Sequence, residues 1–153
     1  MKYIRSLLVG AAIVSLGYFF LMANRDVKDR TAENADQKPE VTQGGFETKI
    51  DERGQVSVTV VPRTLRGAQQ WEFDVVFDTH SVNLDHDLMQ IAELADDKGN
   101  AYMPLLWEGA GPGGHHREGV LVFEAVEPVP SFVELKIKNV GGISERSFQW
   151  SMK

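Results

Sequence analysis

From residue 46 to the C-terminus the chain alternates apolar and polar positions with a period of two. Val56, Val58 and Val60 alternate with Ser57 and Thr59, and Trp71, Phe73, Val75 and Phe77 alternate with Glu72, Asp74 and Asp78. Successive side chains of an extended strand point to opposite faces, so this spacing predicts strands with one face buried. The same reasoning places further strands over 88–95, 101–107, 119–126, 132–139 and 146–152, with an edge strand over 46–50. Turn residues separate them. Asp51-Glu52-Arg53-Gly54 and Asp96-Asp97-Lys98-Gly99-Asn100 put glycine and Asp/Asn where tight hairpins need positive φ, and Glu127-Pro128-Val129-Pro130 interrupts pairing.

No stretch of this region keeps a helical period for a dozen residues. About 7–8 short strands at this spacing predict an all-β fold, an antiparallel β-sandwich of immunoglobulin-like or related topology. Trp71, Trp107 and Trp150 each fall among inward positions and are expected in its core. Lys136 and Lys138 alternate with Leu135 and Ile137, the pattern of a strand with one solvated face.

Ahead of this region the pattern changes twice. Residues 6–23, SLLVGAAIVSLGYFFLMA, carry no charge, and Lys2 and Arg5 precede them. A membrane-spanning helix needs roughly 20 apolar residues, and a cleaved signal has a shorter apolar region of about 7–15 ending in small residues. Residues 1–23 therefore read as an N-terminal membrane anchor in preference to a cleaved signal sequence, since Leu21-Met22-Ala23-Asn24 is a poor cleavage site. Residues 24–45 mix both charge signs with Asn, Gln, Thr and Gly and read as a flexible linker. The short basic N-terminus directly before the apolar run resembles an export signal, which predicts a single-pass protein of the cell membrane with its C-terminal domain, residues 46–153, outside the cytoplasm.

Charge narrows the partners. Residues 46–153 hold ten basic and seventeen acidic residues, a formal charge of −7, with no basic cluster. Nucleic-acid binding rests on neutralising phosphates with Lys and Arg, so it is not expected. With no cysteine in the chain, neither a disulfide framework nor a lipid-modified cysteine is available.

All four histidines lie in two loop-like stretches, 78–87 (DTHSVNLDHD) and 109–119 (GAGPGGHHREG). His80, His86, His115 and His116, with Asp78, Asp85, Asp87 and Glu118 nearby, supply donors suited to zinc or copper if the loops converge. On a regular strand His115 and His116 would face opposite ways, so joint ligation requires the glycine-rich backbone to bend. Asp78, Asn83, Asp85 and Asp87 offer oxygen ligands for calcium but lack EF-hand spacing, and Met89 and Met103 offer thioethers but read more simply as core fillers. Ser81, His80 and Asp78 are too close along an extended chain to assemble a catalytic triad, and the glycines of 109–114 do not lie between a strand and a helix as phosphate-binding loops require. No enzyme activity is expected.

Residues 71–88 (WEFDVVFDTHSVNLDHDL) and 107–123 (WEGAGPGGHHREGVLVF) resemble stretches of uncharacterised bacterial proteins that join an N-terminal membrane segment to a small β domain. The similarity covers roughly residues 56–152 and implies a recurring module; that family has no assigned activity, so no site residue is carried over. The sequence thus predicts a membrane-anchored binding or accessory module whose histidine loops hold a transition metal or contact another envelope protein. The alternative is a purely structural interaction domain of an envelope assembly with no metal site.

Overall fold

A computed structural model describes residues 45–153, which form nine strands and one helical turn. The strands are β1 (Lys49–Asp51), β2 (Ser57–Thr64), β3 (Gln70–Asp78), β4 (Ala92–Asp96), β5 (Ala101–Tyr102), β6 (Leu106–Gly109), β7 (His116–Glu124), β8 (Phe132–Val140) and β9 (Ile143–Ser151), and the turn α1 is Leu88–Ile91. They make two antiparallel sheets, ordered β1-β2-β3-β7-β6 and β5-β4-β8-β9. The anchor and linker segments, 1–23 and 24–45, lie outside the described residues except for Gly45; among the described residues no helix is long and apolar enough to cross a membrane.

The period-two pattern becomes burial. Val58 and Val60 on β2, Trp71, Phe73, Val75 and Phe77 on β3, and Leu121 and Phe123 on β7 fill the inner face of the first sheet. Leu94, Val133, Leu135, Ile137, Phe148 and Trp150 fill that of the second. The two faces meet where Phe73 packs on Trp150, ring centroids 5.5 Å apart, and edge-on to Phe123 at 5.8 Å. Each such large side chain contributes about 1.5–3 kcal/mol on burial, so these apolar rows hold the sheets together.

Two predicted strands resolve differently. The segment 88–95 is a single helical turn followed by β4. Asp87 caps that turn, accepting from Met89 N at 3.0 Å while Gln90 Nε2 donates to its second oxygen at 2.7 Å. Leu88 and Ile91, three apart, both turn toward the core. The segment 101–107 is split between the sheets: β5 pairs with β4, β6 pairs with β7, and Met103-Pro104-Leu105 crosses from one to the other. Pro104 lacks the N–H a continuing ladder needs.

Trp107, expected in the core, is only partly buried and packs against it from the edge. It lies half-buried on β6, the outermost strand of its sheet, opposite Leu121. Its indole covers the inner side of the Gly109–Gly119 pair, where the strands approach so closely that a Cβ on Gly119 would stand 2.6 Å from Gly109 Cα and 2.7 Å from the indole. The indole takes the place of the two missing side chains and donates from Nε1 to Ala110 O at 2.9 Å.

Because β3 ends and β7 begins at the paired residues Asp78 and His116, the loops 79–87 and 110–115 emerge at one end of the sandwich. The β1–β2 turn and the β8–β9 turn meet at that same end, joined by Gln55 N donating to Gly141 O at 3.0 Å. Arg146, on the inner face of β9 in phase with Phe148 and Trp150, is wholly buried there. Its guanidinium reaches the Asp51 carboxylate at 2.8 Å and the carbonyls of Asp51, Arg53 and Val140 at 3.0, 2.6 and 3.3 Å, while its Nε has no partner. The hydrogen bond from Arg53, reinforced by Arg146, holds the Asp51 carboxyl below the usual carboxylate range against the opposing effect of burial.

Two substitutions test these supports. Gly119→Ala forces a backbone separation between β6 and β7 and is expected to cost about 1–3 kcal/mol in urea unfolding; an unchanged midpoint would mean the strands are not held at this distance. Arg146→Ala strips Asp51 and three carbonyls of their buried donor and is expected to cost about 3–5 kcal/mol, with a loss below 1 kcal/mol arguing that water replaces it.

Candidate functional site

The two histidine-bearing loops are joined by backbone hydrogen bonds. Thr79 N donates to His115 O at 2.9 Å, Leu84 N to Gly114 O at 3.0 Å, and Gly113 N to Leu84 O at 2.9 Å. Gly113 and Gly114, with φ of 119° and 75°, make the turn that brings these carbonyls round, a backbone few other residues adopt. Thr79 is buried: its hydroxyl donates to Gln55 O at 2.6 Å and receives Ser81 N at 3.2 Å, so the β1–β2 turn is tied into the same cluster.

Arg117 secures this arrangement from beneath. It occupies an inward position of β7, in phase with Gly119, Leu121 and Phe123, and is only 3% exposed. Its Nε donates to Ala110 O at 2.9 Å and its Nη1 to His86 O at 2.5 Å, which links one loop to the other. The guanidinium lies over the Trp107 ring, 5.5 Å from its centroid. Burial pushes the Arg117 pKa down, with the Asp87 charge opposing it. A guanidinium stays cationic even so, and here its hydration is replaced by carbonyl oxygens and an aromatic face.

His116, the next residue back, faces outward. Its Nδ1 lies 2.6 Å from Asp78 Oδ1 on the neighbouring strand, and its Nε2 lies 3.5 Å from Glu118 Oε2 two residues along its own. The hydrogen bond to Asp78 raises the imidazole pKa above 6.5, assisted by Glu118 and opposed by slight desolvation. Both ring nitrogens thus already face carboxylates, an arrangement that favours the imidazolium over a neutral metal ligand.

The remaining predicted ligands are placed as follows. His80 and His115 are exposed on their loops, and their side chains make no hydrogen bond or ion pair among the described residues. His86 is half-buried, with its carbonyl held by Arg117. Asp85 accepts from Asn83 Nδ2 at 2.8 Å and Asp87 caps α1, so both have local duties. The loops converge, as a shared site required. Among the described residues no group of three or more His, Cys, Asp or Glu side chains is placed to hold a metal ion, His80, His86, His115 and His116 included. The same holds for the oxygen set considered for calcium. Met103, expected as a core filler, is instead 55% exposed on the crossing between sheets.

Sequence reasoning passed over Arg117 and Arg146, the two residues that organise this end. A signal for both exists in the chain: each is a charged residue in the apolar phase of an alternating strand.

For His116 the linkage is testable. A raised folded pKa contributes stability that is fully present below about 6.5, the unfolded value, and is lost as pH rises through the folded value. Imidazole NMR is expected to place His116 above 6.5, and Asp78→Asn is expected to move it down toward 6.5; an unmoved titration would show that the Asp78 contact is absent in solution. Compared with family models, curated proteins and solved structures, the chain matches none.

Proposed function

We propose that residues 46–153 form a non-catalytic binding module of immunoglobulin-like type, held at the outer face of a cell membrane by residues 1–23 and spaced from it by residues 24–45, with the loop end as its binding face. The strand order supports the immunoglobulin-like part of this reading: β2-β3-β7-β6 facing β5-β4-β8-β9 matches the order of an ABED sheet opposed to a C′CFG sheet. It departs from antibody domains in lacking cysteine and in having no tryptophan on β4.

One observation carries the choice of face. Loops 79–87 and 110–115 are locked together by backbone bonds and Arg117, yet present His80, Ser81, Asn83 and His115 outward. A rigid backbone with exposed polar side chains at its rim is the arrangement that lets loops recognise a partner with little ordering cost. The donor geometry favours a protein over a metal ion as that partner.

The test places a photo-crosslinking residue at position 115 or 80 of the full chain in its native cells, with position 138, on the second sheet, as control. A discrete protein adduct from the loop positions alone is expected. Adducts only from position 138 would move the binding face elsewhere. Zn²⁺ or Cu²⁺ titrated into the full chain is expected to show no saturable binding tighter than about 1 μM; tight binding abolished by His115→Ala with His116→Ala would make the ligand a metal.

A further inference from the structure

Sheet edges are open hydrogen-bonding rows, and proteins usually guard them with charges, proline, short strands or inward-pointing charged residues. Three of the four edges here are guarded. β1 and β5 are three and two residues long, and β9, nine residues long, turns Arg146 inward and has its Glu145 carbonyl taken by Arg53 Nη2 at 3.3 Å.

β6 is different. Leu105 and Leu106 are 51% and 45% exposed, and Met103 just before them is 55% exposed. Three of the five large apolar side chains exposed among the described residues are therefore gathered on one edge strand and its approach, where a solvated strand would carry polar ones. The pairing register says which backbone groups are open. Ala110 N donates to Glu118 O at 3.0 Å, so Ala110 and, two residues back, Glu108 bond toward β7. The alternate residues Trp107 and Gly109 direct their N–H and C=O groups away from it.

The chemistry beside the edge indicates what fits. On the outer face of the sheet, a concavity of about 600 Å³ is lined by Glu108, Glu118 and Asp74 with Arg63 as its one base. Arg63 is already bound to Asp74 at 2.7 Å, and Glu108 has no ion-pair partner among the described residues. A second copy of the domain would bring the same carboxylates, and a charge of −7, against themselves.

We infer that β6 is a strand-addition site for an extended segment of a partner protein in which lysine or arginine alternates with apolar residues. The segment pairs with the open groups of Trp107 and Gly109, lays its basic side chains along the outer face with their stems against Leu106 and their charges over Glu108 and Glu118, and turns its alternate apolar side chains to the inner face beside Trp107. Main-chain bonds supply affinity in this mode and the alternate side chains supply selectivity.

The probe is a labelled peptide of alternating lysine and valine, added to the full chain and followed by fluorescence anisotropy. It is compared with a glutamate-for-lysine peptide and with a copy N-methylated on alternate residues, which cannot pair along one edge. The lysine peptide is expected to bind, to slow hydrogen exchange at the Trp107 and Gly109 amides, and to lose about tenfold in affinity with Glu108→Lys. The N-methylated and glutamate peptides are expected not to bind. Equal binding of the N-methylated peptide, equal binding of the glutamate peptide, or no binding of the lysine peptide overturns the inference. His80→Ala with His115→Ala should leave this binding intact, so its failure and that of the loop-end reading can be told apart.

Discussion

Everything at the loop end depends on two arginines buried on the inner faces of the sheets. Arg117 on β7 and Arg146 on β9 sit where apolar strand residues give out and loop carbonyls converge. Between them they bind carbonyl oxygens from residues 51, 53, 86, 110 and 140. A sandwich closed by apolar side chains alone would leave such carbonyls desolvated without donors, at a cost of about 1–3 kcal/mol each. A guanidinium, planar and with five donors, meets several at once and loses less hydration than an ammonium would. The two are not equivalent. Arg146 has a carboxylate, Asp51, for its charge, whereas Arg117 relies on carbonyls, the Trp107 face and the more distant Asp87.

That closure explains why the rim can carry exposed polar groups without becoming loose. Loops 79–87 and 110–115 spend their backbone groups, the His115 carbonyl among them, on each other and on the β1–β2 turn, so the His80 and His115 side chains have no part in holding the end together. The opposite end is closed by other means, with Phe46, Leu65, Val126 and Met152 buried across it and Asp96 ordering the turn after β4. Asp96 accepts from the backbone of Lys98 and Asn100, the Asn100 side chain and Tyr102, and the Asn100 side chain leads in lowering its pKa to about 2. Its contribution to stability is therefore present above the ordinary value of 3.8 and is lost as pH falls toward 2. His116 has the opposite slope, since its pKa is raised.

Much of the fold was legible because strand periodicity is a local property. Five predicted strands fall on observed ones, from the valines of β2 to Phe148 and Trp150 of β9, since each buried residue is one of a row that any half-buried strand displays, and the edge strand expected over 46–50 overlaps β1. The failures share a cause. Segment 88–95 reads as an apolar run with no sign that Asp87 will cap a helical turn, and segment 101–107 reads as one strand because its two halves differ only in which sheet they join. Trp107 looks like its two fellow tryptophans until the glycine pair that it covers is known from the strand register.

For the candidate site the division is sharper. The chain by itself determined that the histidines and their carboxylates sit on two loops beside strong strands, because composition and turn chemistry are written residue by residue. It also determined the phase that turns Arg117 and Arg146 inward. Only the tertiary structure decided that the loops share one end, that His116 is held between Asp78 and Glu118, and that among the described residues no three His, Asp or Glu side chains are placed to hold a metal ion. Periodicity fixes which way a side chain points, whereas convergence depends on which strands become neighbours, a choice made by pairing between residues tens of positions apart.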